Sequence, residues 1–169
     1  MRNFIFNNKV VVLHTSDLDS IAGAWAFLDC NNIAGKIYFQ LIDTFNVLPP
    51  GLENCSVILC GFTLANEIMH ELVNKAHFVF VLDNNMKSLQ PVLSLSQGFK
   101  NVSYVIDINR MVVEICWDFL HSSPLPTKVY SLVSGHSLGC SNIFEFGRLV
   151  ETVKDEDMLI NEMSAMKLN

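Results

Sequence analysis

The stretch His14-Thr15-Ser16-Asp17-Leu18-Asp19-Ser20 sets an imidazole and two carboxylates close together, directly after an apolar run. Alternate residues of an extended segment point the same way, so Asp17 and Asp19 can converge on one point. Carboxylate oxygens suit hard divalent ions such as Mg²⁺, and an added imidazole biases a site toward Mn²⁺ or a later metal. The same residues suit a plainer role, in which Asp19 or Ser20 caps a helix, Asp17 is solvated and His14 is a polar strand end. This stretch alone leaves both open. Elsewhere, Asn84 and Asn85 carry amides that hydrogen-bond a base, ribose or phosphate without a metal, and Arg110 can clamp a phosphate bidentately. His136 is a further contact candidate. His70 and His77 suit surface or packing roles, and Cys60 a small buried hydrophobe, since no base partner for a nucleophile is identifiable.

The elements that must position these groups are legible as hydrophobic runs. Lys9–His14, Lys36–Ile42, Cys55–Cys60, His77–Leu82 and Asn101–Ile106 are short, β-branched and nearly continuously apolar, the pattern of strands covered on both faces. Between them, Ser20–Asn31, Thr63–Ala76 and Asn109–Leu120 repeat apolar residues at spacings of three and four behind a capping-type residue. Strand and helix alternate, which predicts an α/β domain with a mainly parallel five-stranded sheet, right-handed crossovers and any ligand site at the carboxyl ends of the strands. Ser122–Pro126 ends the last sheet-linked helix, and Ile143–Met166 carries an apolar stripe broken by Lys154-Asp155-Glu156-Asp157. The expected division is an α/β domain over 1–139 and a C-terminal helical segment over 140–169, packed on it or extending it.

Composition bounds the rest. The chain has 169 residues, of which 50% are apolar and 17% charged, enough for one buried core without staples. Five cysteines without a C-x-x-C pair point to reduced thiols rather than a disulfide framework or a zinc knuckle. A formal charge of −6 leaves no broad basic footprint for duplex nucleic acid. No apolar run approaches the roughly 20 residues that span a bilayer, and Met1–Lys9 does not have a signal-peptide pattern, so a cytoplasmic protein without membrane association is expected.

In order, these features resemble the DHH phosphoesterase superfamily, and more closely its short-chain phosphohydrolase branch, whose first motif reads like H-G-N-C-P-D-G-F-A-A-A-W. Here that stretch is His14-Thr15-Ser16-Asp17-Leu18-Asp19-Ser20-Ile21-Ala22-Gly23-Ala24-Trp25, and Asp17–Ile21 also looks like the D-x-D-S-I form. A second motif, a strand ending in aspartate before an aromatic, matches Val57–Phe62. The D-H-H motif itself matches Asp83-Asn84-Asn85, and a later D-x-N-R with a following Trp matches Asp107-Ile108-Asn109-Arg110 and Trp117. The resemblance runs from about Lys9 to about Gly139.

What the resemblance implies is a parallel α/β domain whose strand-end loops hold two Mn²⁺ or Mg²⁺ ions and activate water for attack on phosphorus. The implied ligands present are His14, Asp17, Asp19 and Asp83. The second-motif aspartate is Gly61, both motif histidines are asparagines, and the fourth-motif acid falls at Gly135 or a non-acidic neighbour. Glycine coordinates nothing through a side chain, and an amide is a weak ligand for a transition metal. The expectation is therefore a pseudoenzyme without a resident cofactor, binding a nucleotide or phosphate-bearing ligand, or a protein partner or second copy. Accessory proteins of bacteriophages reuse phosphohydrolase scaffolds to sequester or inhibit, and by that analogy the site of action would be the host cytoplasm. Two alternatives remain: a weakly active phosphoesterase using one Mn²⁺ or Mg²⁺ on His14, Asp17 and Asp19 with Arg110 stabilising charge, and a purely structural interaction module.

Overall fold

Runs of Val, Ile, Leu and Phe are buried on both faces over 10–14, 56–60 and 79–83, whereas the run Lys36–Leu41, expected to be covered in the same way, lies at a sheet edge and leaves Lys36, Tyr38 and Leu41 exposed. The computed structural model describes residues 6, 8–30, 33–43, 46–135 and 142–151. Five strands, β1 (Lys9–His14), β2 (Lys36–Leu41), β3 (Ser56–Cys60), β4 (Phe78–Asp83) and β5 (Val102–Ile106), form one parallel sheet in the order β2-β1-β3-β4-β5. The helices are α1 (Leu18–Leu28), α2 (Asn66–Lys75), α3 (Met86–Gly98), α4 (Val112–Leu120), α5 (Thr127–Ser134) and α6, over 143–151.

The handedness of the crossovers decides which helix lies on which face. The chain steps from β1 outward to β2 through α1 on one side. It then returns past β1 to β3, β4 and β5 through the connection that holds Ile42, Leu52 and Cys55, α2 and α3 on the other side. Side chains of each inner strand divide between the two cores by alternation: Val10, Val12, Ile58, Cys60, Phe80 and Leu82 enter the first, and Val11, Leu13, Val57, Leu59, Val79 and Val81 the second. In the first core α1 packs on α4, with Trp25 stacked on Trp117 at 5.9 Å between ring centroids and Phe146 of α6 edge-on to Trp25 at 5.6 Å. The helices approach closely because residue 23 has no side chain. A Cβ there would lie 3.0 Å from Val112 Cγ1 and 3.1 Å from Cys116 Sγ.

The strand order places β1 and β3 side by side, with the chain leaving them on opposite faces of the sheet. Their loops therefore diverge and leave a crevice at the carboxyl ends, the place where open α/β sheets take ligands. The strands match the sequence reading to within a residue at each end. Two helices were not singled out there: α3 and α5.

Candidate functional site

The crevice is an open cleft of about 470 Å³ between three strand-end loops. Thr15, Ser16 and Asp17 come from the β1–α1 loop, Gly61, Phe62 and Thr63 from the β3–α2 loop, and Asp83, Asn85, Lys87 and Ser88 from the end of β4 and the first turn of α3. Hydroxyls, two carboxylates, one amide and one ammonium thus share a single concave surface.

Each acid around the cleft is already engaged. Asp17 is the N-cap of α1, its Oδ1 accepting from the Ser20 amide at 2.9 Å and its Oδ2 from the Thr15 hydroxyl. The expected cap, Asp19 or Ser20, is thereby corrected: both lie inside the helix. Ser20 instead accepts from the Thr15 amide at 2.9 Å and donates to the Cys60 carbonyl at 2.6 Å, fastening the β1–α1 loop to β3. Asp19 reaches across to α4, where Oδ2 accepts from the Val112 amide at 2.8 Å and Oδ1 from the Val113 amide at 2.9 Å. It caps a helix more than ninety residues away in sequence. Met111, the N-cap of α4, offers no side-chain oxygen; Glu114 accepts from the Met111 amide at 2.8 Å, and Asp19 supplies the acceptors for the next two amides. Asp83 is fully buried, accepting from the Asn84 and Asn85 amides on Oδ1 and from the Ser88 hydroxyl on Oδ2.

Burial pushes the Asp19 and Asp83 carboxyls upward, and in both the amide donors, with Ser88 for Asp83, pull partly back. Burial holds the His14 imidazole below its ordinary value of 6.5. Its Nδ1 lies 2.9 Å from the Thr15 carbonyl oxygen, which can only accept, so the neutral ring carries its proton on Nδ1.

These placements decide whether the implied metal pair fits. Among the described residues no three of His, Cys, Asp and Glu come together as a metal-binding group. His14 and Asp19 are absent from the cleft lining, while Asp17 and Asp83 face it. At position 61, where the resemblance implies an acid, Gly61 has φ +78°, and a Cβ on it would lie 3.2 Å from Val112 Cγ2. An acid here would meet left-handed backbone strain and the first turn of α4. The donor set among the described residues does not fit two divalent ions.

Of the remaining sequence candidates, Asn85 lines the cleft and caps α3, its Oδ1 accepting from the Lys87 amide at 3.0 Å. Asn84 turns away to the Arg110 carbonyl at 3.1 Å. Arg110 does not reach the cleft. Its guanidinium donates to the Glu114 carbonyl at 2.9 Å and pairs with Asp118 at 2.6 Å. His70 and His77 are exposed, and Cys60 is buried. Gly135 ends α5, and His136 lies outside the described residues. Lys87, Thr63 and Ser88 are cleft residues the sequence reading missed. Their signal was position alone, within three residues of the end of β3 or in the first turn after β4.

No protein-family model matches the sequence, and no curated protein matches it. Among solved structures the chain is similar to an uncharacterized protein from Helicobacter pylori G27, with a TM-score of 0.47 and 17% identity. That similarity covers 75% of this chain and 40% of the other, so the chain spans well under half the length of the protein it matches.

Proposed function

We propose that this protein is a degenerate DHH-type phosphoesterase scaffold that acts by binding, taking a small nucleotide-like or phosphate-bearing ligand in the cleft without a metal pair. The observation that carries this reading is the capping of α4 by Asp19: both oxygens of an implied metal ligand are spent on backbone amides. Asp17 and Asp83 also accept from several donors, which spreads their charge and reduces their repulsion of an incoming anion. Among the described residues Lys87 is the one basic side chain in the cleft lining, and it supplies the cation that a metal would otherwise provide. A concave site at the switch point of an α/β sheet, lined by convergent polar groups, is where such a ligand binds.

Calorimetric titration of a panel of nucleoside monophosphates, in buffer containing EDTA, tests this. Binding should survive the chelator and weaken roughly tenfold in Lys87→Ala, the loss of about one charge-assisted contact. Binding that appears only with added Mn²⁺ would count against the proposal, as would affinity unchanged by loss of the lysine.

A further inference from the structure

Behind the cleft, Cys60 and Cys116 bring their Sγ atoms to 3.8 Å, both fully buried in the first core and 56 positions apart in the chain. Cys60 ends β3 one residue before Gly61, and Cys116 lies one turn along α4 from Val112, the residue that closes over Gly61. We propose that Cys60 and Cys116 are an oxidisable dithiol that closes to a disulfide and ties β3 to α4 behind the cleft. The proposal does not rest on the ligand assigned above.

The oxidant is a small-molecule disulfide such as oxidised glutathione. One protein sulfur, as thiolate, attacks it, forming a mixed disulfide and expelling one glutathione thiolate. The second protein sulfur then displaces the other. Two protein S–H bonds are lost, one S–S bond forms between β3 and α4, and the oxidant leaves as two thiols. Closure takes the sulfurs from 3.8 Å to the bonded separation of about 2.05 Å, a shift that side-chain rotation and a slide of α4 have to supply. Burial pushes the Cys116 thiol up, so reaction waits on transient opening of α4 from β3. The pair therefore answers sustained oxidation rather than a brief pulse.

The test incubates the full chain with oxidised glutathione, in plain buffer and in sub-denaturing urea that speeds opening, followed by non-reducing peptide mapping and thermal denaturation. A Cys60–Cys116 linked peptide, lighter by two hydrogens, is expected in urea at least. It should accompany a Tm raised by roughly 5–10 °C, reversed by dithiothreitol and absent in Cys116→Ala. Failure to find that peptide under both conditions would overturn the proposal, and so would a cross-linked form with a lower Tm.

Discussion

Asp19 gives α4 the acceptor that Met111 cannot provide, and its removal leaves the Val112 and Val113 amides unmatched. Asp19→Ala is expected to lower stability by about 2 kcal/mol, the scale of a lost cap with charge-assisted bonds, read from the shift in urea midpoint at unchanged slope. A structurally idle Asp19 would give no shift. The buried groups also set a pH dependence. His14 is held below 6.5 in the folded chain, so the unfolded chain takes up a proton first and stability falls as pH drops below 6.5. Asp19 and Asp83 act in the opposite direction. Their folded values lie above the ordinary 3.8, so their contribution is fully present below 3.8 and is lost as pH rises through the raised values. His14→Asn should flatten the decline just below pH 6.5 while leaving the carboxylate window unchanged, measured as urea midpoints across the acid range. An equally steep decline in the variant would show that another group is responsible.

At the scale of elements, α6 is part of the first core: Ile143, Phe146 and Val150 are buried and Phe146 meets Trp25 edge-on. Phe146→Ala should cost about 3–4 kcal/mol and change the tryptophan emission, because it opens a cavity against the Trp25–Trp117 stack. A cost below about 1 kcal/mol would mean that α6 docks without packing. Strand positions were legible in the sequence because β1, β3 and β4 are buried on both faces, which demands apolar residues throughout. Helix α3 was harder to see. It carries Pro91 inside, which removes the donor for the Lys87 carbonyl, and buries only Ser88, Val92 and Leu95. The candidate site was half legible for a related reason. Strand ends fix where Asp17, Asp83 and Asn85 fall, but the directions of Asp19 and Arg110 are set by α4 amides and Asp118, partners that local spacing does not reveal.

At the scale of the whole molecule, the sheet order opens a cleft between β1 and β3, and the helices around it consume the acids that could have made it a metal centre. Among the described residues no helix is long and apolar enough to cross a membrane. The cleft keeps Lys87, among the described residues, as its basic side chain beside the helix caps Asp17 and Asn85. Calorimetric titration of Mn²⁺ into the purified protein, paired with an assay for phosphate-ester hydrolysis, tests this most directly. The account predicts no heat of site binding at millimolar metal and no turnover above the metal-only rate. Two Mn²⁺ ions bound per chain, or hydrolysis that rises with their occupancy, would contradict it.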